Sequence, residues 1–105
     1  MAALTAKYDA GETERQLAEY VGLSHLRVRV RGAVLTLESG PSEEPHAHAR
    51  LRRVSATLWS LEIAGRGGRW EPTGLRDTRA KLVLALVEQF GWVLEPVAAW
   101  EPGTN

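Results

Sequence analysis

The clearest pattern along the chain is an alternation of apolar and polar positions between residues 26 and 38. Leu26, Val28 and Val30 alternate with Arg27, Arg29 and Arg31; beyond Gly32, Leu35 and Leu37 alternate with Thr36 and Glu38. A period of two sends successive side chains to opposite faces of a strand. Gly32-Ala33 between the two runs predicts a β-hairpin, with glycine at the first central position of a type II′ turn. That turn sets Val30 against Leu35 and Val28 against Leu37. It also sets Arg29 against Thr36 and Arg27 against Glu38, so both faces are self-consistent.

Further strands follow. Residues 39–46 form a polar loop rich in turn-forming residues. A third strand with weaker alternation runs from about Ala47 to Val54. In a fourth, Trp59, Leu61 and Ile63 share one face while Ser60 and Glu62 share the other. After the glycine-rich turn Gly65-Arg66-Gly67-Gly68, Arg69-Trp70-Glu71 adds a short fifth strand that Pro72 ends.

Helical signals flank the strands. Residues 1–10 show no period and read as a loose lead-in. Thr13 and Gln16 have capping-box spacing, which starts a short helix there. Leu17, Tyr20 and Val21 make its apolar face, and Gly22 stops it. A longer helix, capped by Thr73 or Asp77, carries the stripe Leu82, Val83, Leu86, Val87 and Phe90 and ends at Gly91. Trp92-Val93-Leu94 then runs extended to Pro96, with Trp92 covering the end of the core. Residues 97–105 form a loose tail whose one anchor is Trp100.

Short connections between strands require an antiparallel meander. The expected fold is therefore α+β: one domain over residues 1–105. It is a two-layer sandwich in which a meander of four to five strands carries a short N-terminal helix and a longer C-terminal helix on one face. In element order alone the chain resembles double-stranded-RNA-binding domains. The lysine-rich opening of their last helix is absent, since this helix begins Asp77-Thr78-Arg79-Ala80-Lys81.

Composition narrows the function classes. There is no cysteine, which excludes disulfides, a thiolate nucleophile and cysteine-ligated metal. No apolar run reaches the roughly 20 residues of a membrane span, and Met1-Ala2-Ala3-Leu4 does not open a signal peptide. The expected compartment is the cytoplasm. Eleven arginines against two lysines, with abundant Ala, Leu and Gly, suggest a GC-rich bacterial source. Net charge is zero but uneven: residues 25–81 carry a surplus of five positive charges, and both flanks are acidic.

Candidate chemistry concentrates in that basic middle. Arg27, Arg29 and Arg31 share one strand face, and Arg50 and Arg52 share another, with Arg53 opposed to them. Set side by side, the five make a cationic surface suited to phosphate, because guanidinium presents a planar fork of donors. The plainer reading is that outward arginines solubilise exposed strands. Arg66 and Arg69, in the glycine-rich segment, can hold an anion near the second helix; that segment matches neither a dinucleotide fingerprint nor a phosphate loop. Trp70, beside a turn, is the tryptophan placed to be partly exposed, where it can anchor an interface or stack a base. His46 and His48 alternate near Glu43 and Glu44, but no motif supplies a third metal ligand, and His25 stands alone.

No serine sits in a nucleophile elbow, and no carboxylate pair lies in an apolar setting. The expectation is a non-enzymatic protein-interaction module without cofactor, binding another protein or its own copy through open sheet edges. The alternative is nucleic-acid or other polyanion binding through the arginine face. No membrane partner is expected.

Overall fold

The computed structural model describes residues 2–96. Helix α1 (Ala2–Leu17) precedes strands β1 (Arg27–Arg31), β2 (Val34–Ser39), β3 (His46–Arg53), β4 (Trp59–Ala64) and β5 (Trp70–Asp77), and helix α2 (Arg79–Phe90) follows them. The five strands form one antiparallel meander in chain order, as the short connections require. Both helices cover the same face, giving the expected two-layer α+β sandwich. The tail expected over residues 97–105, with its Trp100 anchor, lies outside the described residues.

The β1–β2 hairpin has the register read from its alternation: Arg27 opposes Glu38, Arg29 opposes Thr36 and Val30 opposes Leu35. Gly32 takes φ +58, while no non-glycine residue among those described has positive φ. That is the dihedral pattern of a II′ turn rather than I′, which needs positive φ at both central residues.

The core lies between sheet and helices. Leu35, Leu37, Ala49, Leu51, Trp59, Leu61 and Ile63 supply the sheet side, and Leu82, Val83 and Leu86 of α2 press on them. Val87 and Phe90 complete the stripe from its half-buried flank. The α2 cap is Thr78, whose hydroxyl accepts from the Lys81 N–H, rather than Thr73 or Asp77. Those two residues remain in β5, which does not stop at Pro72 but runs on to Asp77. Proline is tolerated because β5 is an edge strand with no ladder to feed on its outer side. Between Ser60 and Glu62 the β5 partner bulges, with Gly74 at φ +81 inside the bulge.

Helix α1 departs most from expectation. It begins at Ala2, so residues 2–10 are helical and not a loose lead-in. Among its described side chains the buried stripe is Ala10, Thr13 and Leu17, in which only Leu17 is large, so it gives little hydropathy contrast. Alanine-rich sequence favours helix on its own account. Thr13 is an interior residue, not a cap: its hydroxyl donates to the Asp9 carbonyl at 2.7 Å. Thr13 and Gln16 instead clasp the two helices together. Arg79 donates to the Thr13 hydroxyl and to Gln16 Oε1, and Gln16 Nε2 donates to the Ala80 carbonyl at 2.9 Å. The helix ends at Leu17, so Val21 lies beyond it and is fully exposed.

At the other end, Gly91 keeps right-handed dihedrals, and the chain tightens into a 3₁₀ turn over Gly91–Leu94 in place of an extended run. In that turn Leu94 is buried while Trp92 stays 66% exposed, so Leu94 and not Trp92 closes the core.

Leu86 is wholly buried in the middle of the α2 stripe. Leu86→Ala should cost about 2–5 kcal/mol in chemical denaturation, through lost transfer energy and the cavity left behind. A loss under about 0.5 kcal/mol, the scale of surface substitutions, would contradict this packing.

Candidate functional site

No described element covers the face of the sheet opposite the helices, and its residues follow from the strand registers. One cross-strand row reads Arg29, Thr36, Arg50, Glu62, Pro72. The next reads Arg31, Val34, Arg52, Ser60, Arg76. Arg27 and Glu38 begin a third with Ala47. Six arginines thus share one face with two glutamates, a surplus of four positive charges.

Their pairing divides them into two groups. Arg27 donates through Nε to one Glu38 carboxylate oxygen at 3.2 Å, and Arg29 forms an ion pair with the other at 3.2 Å. Arg50 donates to Glu62 at 2.5 Å. Arg27 also reaches the Gly40 carbonyl at 2.7 Å, and its Nη2 is buried without a partner. Arg31, Arg52 and Arg76 have no ion pair among the described residues, and all three are exposed. Arg76 joins the face because β5 runs past Pro72, where the sequence alone predicts its end.

Between these arginines lies an open groove of about 390 Å³, bounded by Arg29, Arg31, Arg50 and Arg52 and by Trp70. Val34, Ala47 and Pro45 make parts of its lining apolar. Trp70 is half-buried, and the Arg50 guanidinium lies 4.5 Å from its ring centroid. Of the sequence candidates, Arg29, Arg31, Arg50, Arg52 and Trp70 come together here. Arg27 lies beside the groove as a strut to the β2–β3 loop. Arg66 and Arg69 do not join it. Arg66 borders a separate cleft with Gly65, Glu71 and Trp92, and Arg69 is exposed in the β4–β5 turn. Arg53 is on the opposite face, as its alternation requires, held by Asp9 at 2.6 Å and packed over Trp59.

The histidines form a second cluster that strict alternation misplaces. Leu37 pairs with Ala49 and Glu38 with Ala47, so His48 is the extra residue of a β-bulge. The bulge turns His48 from the arginine face to the core face, where it is 1% exposed. Nδ1 lies 2.8 Å from the Val93 carbonyl, which can only accept, so Nδ1 carries the hydrogen. In the neutral ring Nε2 then accepts from the Ser39 hydroxyl at 2.7 Å. His46 stacks edge-on at 4.7 Å and His25 at 6.0 Å, and His25 Nε2 donates to the Leu94 carbonyl. His25 is therefore partnered, and the cluster ties the 3₁₀ turn to the sheet. Both nitrogens of His48 are engaged, and among the described residues no three potential ligands are grouped to hold a metal ion.

No family model, curated protein or solved structure matches the chain.

Burial holds the pKa of His48 below its ordinary value of 6.5; the neighbouring His46 and His25 push the same way, and the Val93 carbonyl opposes them. The fold therefore favours the neutral ring. The unfolded chain takes up a proton near pH 6.5, so this contribution to stability is complete above that pH and is lost as pH falls below it. Denaturation midpoints should decline as pH falls below about 6.5, and His48→Gln should flatten the decline. An NMR titration showing His48 protonated at or above pH 6.5 would refute the assignment.

Proposed function

We propose that the protein is a binding module that takes a polyanionic partner on its uncovered sheet face. The observation that carries this reading is the row Arg31, Arg52 and Arg76, which crosses the whole sheet with no acidic residue in it. Neighbouring strands lie about 4.8 Å apart, so these arginines recur roughly every 10 Å. Guanidinium keeps its charge at all physiological pH and meets phosphate or sulfate with two parallel hydrogen bonds. The other arginines are oriented by Glu38 and Glu62, which leaves them fixed beside the row.

Pairing of another protein, or of a second copy, along the sheet edges has less support. The β1 edge is engaged where Glu14 accepts from the Val28 N–H at 2.9 Å. The β5 edge carries Pro72 and a bulge. These are the devices that discourage strand addition.

Binding of fluorescent DNA and of heparin, measured against salt, tests the reading. The wild type should bind more tightly than about 1 μM at 150 mM salt, beyond the ~10⁻⁴–10⁻⁶ M of non-specific attraction, and weaken steeply as salt rises. Replacing Arg31, Arg52 and Arg76 together by glutamine should weaken binding strongly and flatten its salt dependence. Because each is exposed, each change should alter stability by no more than about 0.5 kcal/mol. Absence of wild-type binding to either ligand even at low salt would overturn the proposal.

A further inference from the structure

Resting on that reading of the face, we infer that its partner is a single-stranded nucleic acid. The backbone crosses the strands along Arg31, Arg52 and Arg76, and a base sits in the groove against Trp70 and Arg50. Charge alone would serve any polyanion. The groove discriminates among them, because it interleaves cations with an aromatic ring and an apolar lining of Val34, Ala47 and Pro45. A sulfated polysaccharide has no flat apolar group to place there. A duplex keeps the faces of its bases inside its own stack and offers phosphates outward. An unpaired base has a free π-face, and proteins hold such bases on aromatic rings or guanidinium planes beside a cationic track.

Trp70 and Arg50 are organised for that task. Arg50 lies 4.5 Å from the ring centroid and is held by Glu62 at 2.5 Å. Glu62 also offsets the charge of Arg50, so this pair works by its shape and flat surface. The uncompensated charge stands one row away, in Arg31, Arg52 and Arg76. Base pocket and backbone track therefore run side by side across the sheet. The track spans about 19 Å over four strand spacings, a length suited to a few nucleotides. A single strand is flexible enough to bring phosphates to cations at that spacing.

The experiment compares labelled DNA and RNA single strands of about 16 nucleotides, the upper range for one small domain, with the annealed duplex and with heparin. Wild-type protein should bind the single strands at least tenfold more tightly than the duplex and show quenched tryptophan fluorescence. Trp70→Leu should weaken single-strand binding by about 5- to 150-fold, the value of one base–aromatic stack, and abolish most of the quenching. Its heparin affinity should be unchanged, which also certifies that the variant is folded. Trp70→Phe, which keeps a ring, should retain most of the affinity. Glutamine at 31, 52 and 76 should lower the single-strand salt slope by about two units, at ~0.7 per phosphate contact. Equal affinity for duplex or heparin, or an unaltered single-strand affinity in Trp70→Leu, would overturn this inference and leave the polyanion-binding face standing. Failure of every anion to bind would remove both.

Discussion

Two helices can cover only one side of a five-stranded sheet, and the rest of this structure depends on that constraint. The covered side must be apolar, and Leu35, Leu37, Leu51, Leu61 and Ile63 face the helices at every second position. The uncovered side must hold water, and most of the intervening positions are arginine, threonine, serine or glutamate, with Val34 and Ala47 among them. A slip of one residue in any strand would exchange the two sets, burying polar or charged groups such as Arg52, Glu62 or Arg29 under the helices. The charge of the outer face and the burial of the inner one therefore fix the same register, each from its own side.

The covering layer is unequal. Helix α2 brings Leu82, Val83 and Leu86, each at least 99% buried, whereas α1 brings mainly Ala10, Thr13 and Leu17. Among the described side chains of α1 this stripe has one large apolar residue, and each such residue adds only a few kcal/mol at most. Polar contacts add to it: the Arg79–Thr13–Gln16 clasp to α2, the Arg53–Asp9 ion pair to β3 and the Glu14 carboxylate on β1. These contacts are directional, so they fix where the helix lies as well as holding it. The histidine cluster does the same for the 3₁₀ turn, through carbonyls of Val93 and Leu94 that a helix end would otherwise leave without donors.

What could be read from the sequence followed from strong periodicity. The hairpin register, the inward set Trp59, Leu61 and Ile63, and the α2 stripe all rest on repeated large apolar residues. What could not be read lay where the period breaks. The bulge at His48 adds one residue and reverses the facing of everything before it, and the only trace in the sequence is the weak pattern His46-Ala47-His48-Ala49. Helix α1 was hidden because alanine scores as neither face, and Thr13 and Gln16 have capping spacing while sitting in a helix interior. Arg76 escapes a reading of the sequence because Pro72 reads as the end of a strand, whereas it only marks an edge strand that runs on to Asp77. Pairing of arginines is a tertiary fact. The sequence places Arg27, Arg29 and Arg50 on a wet face but cannot show that carboxylates occupy these three, while Arg31 and Arg52 have no ion pair among the described residues.

That division bears on whether the face is a site or only a wet surface. Outward arginines are often explained as guards against edge-to-edge aggregation, an account that suits β1 and β5. It does not reach Arg52, which stands on the central strand β3 with a hydrogen-bonded neighbour on each side. Solubility does not require arginine there either, since Thr36 and Ser60 meet water on the same face without charge. The cost of the row is small. Its members stand about 10 Å apart, and the screening length in physiological salt is ~8 Å, so their mutual repulsion is largely screened. An incoming polyanion meets a different balance, because it touches several arginines at once and releases its condensed counterions on doing so. A row of this spacing is thus cheap to maintain without a partner and attractive when one arrives, which a scatter of paired surface charges would not be.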